Sequence, residues 1–62
     1  MLKIEYGYDR RLKSWCIIVF DEVGNEIESS YVGNKADRDY ELQYFSNEYN
    51  VDPSNIIKIK AY

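Results

Sequence analysis

Trp15-Cys16-Ile17-Ile18-Val19-Phe20 is the longest apolar run in this 62-residue chain, and it is apolar at both parities. A half-buried strand alternates polar and apolar residues, so a run of this kind reads as a strand covered on both faces. The flanking residues fit that reading. Asp21-Glu22-Val23-Gly24-Asn25 follows with hairpin-turn chemistry, because Gly or Asn supplies the positive φ that a tight turn needs. Residues 26–32 then alternate, with Ile27, Ser29 and Tyr31 opposed to Glu28, Ser30 and Val32. Upstream, Arg10 to Ser14 is a polar, basic loop, and residues 2–9 alternate strictly. Leu2, Ile4, Tyr6 and Tyr8 point one way; Lys3, Glu5, Gly7 and Asp9 point the other.

Past residue 32 the pattern changes. Gly33-Asn34 breaks the strand, and Asn34 is placed to cap a helix that carries Asp37 three residues on and an acid-rich first half. The spacing predicts a helix over residues 35–49, stopped at Asn50. A turn at Asp52-Pro53-Ser54-Asn55 and a last strand over 56–62 follow, with Ile57, Ile59 and Ala61 opposed to Lys58 and Lys60. The order is β-β-β-α-β. Two hairpins make the first and third strands parallel, and a right-handed helical crossover returns the fourth parallel to both. The expected fold is α+β, one domain over residues 1–62. It is a four-stranded mixed sheet of order 3-2-1-4 with the fourth strand parallel to the first and the helix on one face.

Register decides which side chains stay wet. Pairing Phe20 with Ile27, and Ile4 with Phe20, puts Ile18 opposite Ser29, Cys16 opposite Tyr31, Tyr6 opposite Ile18 and Tyr8 opposite Cys16. The face under the helix then holds Leu2, Ile4, Tyr6, Tyr8, Cys16, Ile18, Phe20, Ile27, Tyr31, Ile57 and Ile59. The other face is polar (Lys3, Glu5, Asp9, Asp21, Glu26, Glu28, Ser30, Lys58, Lys60) except for a stripe of Trp15, Ile17 and Val19. That stripe is expected to be an interface with a partner or a second copy, since burying such side chains is worth about 1.5–3 kcal/mol each. A slip of one residue would exchange the two faces. On the helix, Leu42, Phe45 and Tyr49 share the stripe expected on the sheet. Ala36, Tyr40 and Tyr44 lie nearly opposite, and the two tyrosines sit a turn apart, flanked by Asp37, Glu41, Asn47 and Glu48. Tyrosine is frequent in binding hot spots, so this ridge is the second candidate surface.

Charge narrows the partner. Residues 1–20 carry Lys3, Arg10, Arg11 and Lys13 against Glu5 and Asp9, a net of +2. Residues 21–52 carry nine acids (Asp21, Glu22, Glu26, Glu28, Asp37, Asp39, Glu41, Glu48, Asp52) against Lys35 and Arg38, a net of −7. Lys58 and Lys60 bring the total to −3. Direct nucleic-acid binding is disfavoured, because phosphate contacts need a basic face. A basic protein partner, such as a nucleic-acid-binding protein, is favoured through steering. A stacking platform for single-stranded nucleic acid also lacks its parts: only Trp15 offers a ring on the expected open face, amid more acids than bases.

Catalytic chemistry is expected to be absent. There is no His, so Ser–His, Cys–His and His–metal arrangements are excluded. Cys16 is the only cysteine, which rules out an internal disulfide and a thiolate zinc site. Lying in the most apolar strand, it reads as packing. Asp21, Glu22, Glu26 and Glu28 form the densest acid cluster, but they sit on a hairpin and match no calcium loop. The scattered glycines make no phosphate loop. Arg10-Arg11-Leu12-Lys13 reads as a solvated basic loop. No cofactor and no metal are expected. With no basic start followed by an apolar run, no signal peptide is read, and no apolar stretch reaches membrane length, so the expected location is the cytoplasm.

Two functional classes follow. A complete small chain with an initiator Met, acidic middle and exposed tyrosines fits non-enzymatic regulators and inhibitors encoded by phages and mobile elements, anti-CRISPR-like in style, acting on a host protein. As topology over the whole chain, β-β-β-α-β also resembles the HicB antitoxin domain, which implies a regulatory homodimer. HicB domains usually carry Pro-Gly after the second strand and an acidic-Glu-Ala helix start. This chain has Asp21-Glu22-Val23-Gly24-Asn25 and Asn34-Lys35-Ala36-Asp37 there, with its only proline at Pro53, so the resemblance carries over no functional residues.

Overall fold

The computed structural model of the protein describes residues 1–59. Strands β1 (Lys3–Asp9), β2 (Ser14–Phe20) and β3 (Glu26–Val32) are followed by helix α1 (Lys35–Glu48), a 3-10 turn at Pro53–Asn55 and strand β4 (Ile56–Lys58). The sheet order is β3-β2-β1-β4, with β4 parallel to β1 and the other neighbours antiparallel. This is the α+β arrangement that the sequence predicts. Of the strand expected over 56–62, residues 60–62, including Lys60 and Ala61, lie outside the described residues.

The register between β1 and β2 differs from expectation by one residue. Ile4 pairs with Val19, Tyr6 with Ile17 and Tyr8 with Trp15, where Phe20, Ile18 and Cys16 were expected. The cause lies in the connecting loop. Asp9 pairs with Ser14, so the loop is four residues long, Arg10 to Lys13, where the expected loop, Arg10 to Ser14, has five. The Asp9 carboxylate organises it by accepting from the backbone N–H groups of Arg11 at 2.9 Å and Leu12 at 3.3 Å. Lys13 closes it at φ 52°, in the left-handed region. One residue fewer in the loop turns every β2 side chain to the opposite face.

Between β2 and β3 the expected pairs Cys16–Tyr31 and Ile18–Ser29 form. At the turn a bulge intervenes, and Phe20 pairs with Glu26 where Ile27 was expected. The Asp21 carboxylate accepts from Val23 and Asn25 N–H groups at 3.0 and 2.8 Å, and Gly24 takes φ 92°. These bonds, that from Asn25 foremost, hold the Asp21 carboxyl below its usual range.

Helix α1 begins and ends on local chemistry. The Asn34 side chain accepts from the Asp37 N–H at 2.8 Å and donates to the Asp37 carboxylate at 3.2 Å. At the far end Tyr49 is the C-cap, Asn50 follows at φ 53°, and the Val51 N–H reaches back to the Ser46 carbonyl at 2.9 Å. This six-to-one bond, with Val51 packed in the same apolar cluster as Phe45, is a Schellman stop. The core lies between α1 and the sheet. Ile4, Ile17, Val19, Phe45 and Val51 are buried, and Leu2, Tyr6, Val32, Leu42, Tyr49 and Ile56 pack around them. As expected, Leu42, Phe45 and Tyr49 are the sheet-facing stripe of the helix.

Candidate functional site

The register finding corrects the first candidate surface. Ile17 and Val19 are fully buried and Trp15 is half-buried, all on the face under α1. The expected open stripe of Trp15, Ile17 and Val19 therefore lies on the covered face: Ile17 and Val19 are core, Trp15 sits half-buried at its end, and the open face carries none of the three. The face away from the helix carries the other parity of β2 instead. Ile18 and Phe20 are half-buried there, Tyr31, Ile27 and Ile57 are exposed, and a Lys3–Glu5 ion pair at 3.0 Å runs beside them. Cys16 is buried on that face, paired with Tyr31 across the strands. Burial pushes its thiol pKa up, opposed by a hydrogen bond with Tyr31, so it stays a protonated packing group.

Trp15 has a different role from the one expected. The Arg38 guanidinium lies 4.5 Å from its ring centroid, Lys58 lies at 5.9 Å, and Tyr8 meets it edge-on at 5.4 Å. Arg38 also sits 5.7 Å from the Tyr6 ring and is held by Asp39 at 2.7 Å. Its side chain is only 15% exposed. Arg38, a charged helix residue, is thus a lid on the aromatic end of the core.

The second candidate surface is where the sequence puts it. Tyr40 is 70% exposed and Tyr44 47% exposed on the outer side of α1, the latter resting edge-on against Phe45 at 5.6 Å. Asp37 and Glu48 are exposed and Glu41 is half-buried. Glu41 marks which side of the helix this is, because its carboxylate accepts from the Ser30 hydroxyl of β3 at 3.1 Å. The helix packs chiefly on β2 and next on β3. Asp37, Glu41, Tyr44 and Glu48 follow the 4-3-4 spacing of one helical stripe, so all four border the β3 side.

One feature of this region escapes a sequence reading. Glu28, on the helix-facing side of β3, receives a hydrogen bond from the Tyr49 hydroxyl, and that bond drives the Tyr49 pKa up to about 12. As the expected strand order implies, β3 is an edge strand, bonded to β2 alone, with most of its residues exposed. Of the hairpin acid cluster, Asp21 is spent on its own turn and Glu28 on Tyr49. Among the described residues no group of three or more Cys, Asp or Glu is placed to hold a metal ion, no pocket opens, and no helix is long and apolar enough to cross a membrane. Comparison with family models, with curated proteins and with solved structures gives no match.

Proposed function

We propose that this chain is a small protein-binding module without catalysis of its own, a regulator or inhibitor of phage or mobile-element origin. It acts in the cytoplasm on a host protein through the outer, acidic side of α1. The observation that carries this reading is the pair Tyr40 and Tyr44, a turn apart, 70% and 47% exposed, among Asp37, Glu41 and Glu48. Tyrosine offers a large contact area at low ordering cost, and a row of carboxylates steers it toward a basic partner such as a nucleic-acid-binding protein. Capture from a bacterial lysate tests the reading. A protein retained by the parent chain should be lost, by tenfold or more, from a folded Tyr40→Ala/Tyr44→Ala variant. Equal retention by both chains contradicts it.

A second reading is a regulatory homodimer, favoured by the uncovered apolar side chains of Ile18, Phe20, Tyr31 and Ile57 on the open sheet face. Light scattering separates the two. A dimer dispersed by Ile57→Glu supports the second reading, and a monomer at millimolar concentration removes it.

A further inference from the structure

The free edge of β3 carries a more specific inference, which rests on the proposed protein-binding role and names how the partner is held. An edge strand presents a row of unpaired N–H and C=O groups. Here that row runs from Glu26 to Val32. Above it stand Asp37, Glu41, Tyr44 and Glu48 on one helix stripe, with Glu41 bonded down to Ser30. None of Glu26, Glu28, Asp37, Glu41 and Glu48 has a cationic side chain within ion-pair distance among the described residues. We infer that the β3 edge accepts an extended, Lys- or Arg-bearing segment of the partner as a fifth strand, with its basic side chains against the carboxylates of Asp37, Glu41 and Glu48.

The dimensions agree. Residues four apart on a helix are separated by about 6 Å along its axis. Alternate side chains of a strand repeat every ~6.8 Å. A strand added to β3 and aligned with α1 sets successive same-face side chains near Asp37 and Glu41, and Glu48, about 10 Å further along the helix, is within reach of the flexible stem of the next Lys or Arg. Backbone pairing supplies affinity, and the alternate side chains supply choice. Acidic residues on an edge commonly serve only to repel other edges. That purpose is met by Glu26 and Glu28 on the strand itself; it does not account for three further carboxylates on the helix flank. A second copy is the wrong occupant, since two β3 edges meeting about a two-fold axis would bring both acidic flanks to one seam.

The test uses the full chain and a capped seven-residue peptide alternating lysine and threonine, followed by amide NMR. At about 1 mM peptide, the Glu26–Val32 amides and those of Asp37, Glu41, Tyr44 and Glu48 should shift, and the β3 amides should exchange more slowly. N-methylating every second peptide residue, in either of two phases, should cost at least tenfold in affinity in at least one phase. Glu41→Gln and Glu48→Gln should each weaken binding about twofold to fivefold. A glutamate–threonine peptide should not bind. No binding by the lysine peptide, equal affinity for the parent and both methylated forms, or shifts confined to the Ile18–Ile57 face each overturn the inference. If a captured host protein depends on Tyr40 and Tyr44 but leaves β3 exchange unchanged, this inference falls while the proposed function stands.

Discussion

Arg38 lies over Trp15, its guanidinium carbon 4.5 Å from the indole ring centroid, although the two residues belong to different elements and Arg38 is charged. Their contact closes the end of the core that the β1–β2 loop and the start of α1 share. A cation over an aromatic face is worth about 0.5–2 kcal/mol, more as water is excluded, and the Arg stem adds apolar cover. Arg38→Ala should therefore lower stability by roughly 1–2 kcal/mol in urea unfolding. Trp15 is the chain's only tryptophan, so its emission should shift to longer wavelength in the folded variant. An unchanged spectrum would mean the ring is not roofed by Arg38.

Truncation along β2 should follow the observed faces. Ile17→Ala empties a fully buried site and should cost about 2–5 kcal/mol. Ile18→Ala, on the open face and only half-buried, should cost less than half as much. Reversal of that order would restore the register in which Ile18 faces the helix.

Lys13 holds φ 52°, a region where a Cβ is costly. Lys13→Gly should raise stability by about 0.5–1 kcal/mol, read as a higher urea midpoint at unchanged slope. Asn50, at φ 53°, belongs to a residue type that tolerates this conformation, so Asn50→Gly should change little and Asn50→Ala should lower the midpoint.

Titration should show two limbs. The Asp21 and Asp52 carboxyls are held down, chiefly by the N–H groups of Asn25 and of Ser54 respectively. Their folded values lie below the unfolded ones, so they add stability above the unfolded pKa near 3.9 and lose it as pH falls through the lowered folded values. Asp21→Asn should accordingly flatten the acid limb of the stability profile. The Tyr49 value of about 12 lies above its unfolded value, so its contribution is full below pH ~10 and lost as pH rises toward 12. Absorbance at 295 nm should show a late tyrosinate phase near pH 12 that Tyr49→Phe and Glu28→Gln both remove.

The elements and their order were legible because each carries its own local chemistry. Asn34 caps, Asn50 stops, Gly24 turns, and Leu42, Phe45 and Tyr49 recur at helical spacing. The face of β1 was legible as well, since Leu2, Ile4 and Tyr6 pack under the helix as expected, but the faces of the other three strands were not. Ile17 and Val19 are no more apolar than Ile18 and Phe20, so the pattern of β2 fits either register. The choice fell to whether the loop after Asp9 holds five residues or four, and that turns on an Asp9 side-chain bond and a left-handed Lys13, neither of which composition reveals. Tyr40 and Tyr44 were found because the sheet-facing stripe of α1 left them no other side. Arg38, by contrast, sits on that very stripe, where polarity alone argues against it.

In the proposed function the partner meets the outer, acidic side of α1. The most direct measurement places the photo-crosslinker p-benzoylphenylalanine in place of Tyr40 and, separately, in place of Ile57 on the open sheet face, then irradiates each chain in a bacterial lysate. The expected result is one discrete adduct with a host protein from position 40 and none from position 57. An adduct from position 57 alone, or a crosslink only to a second copy of the chain, would contradict it.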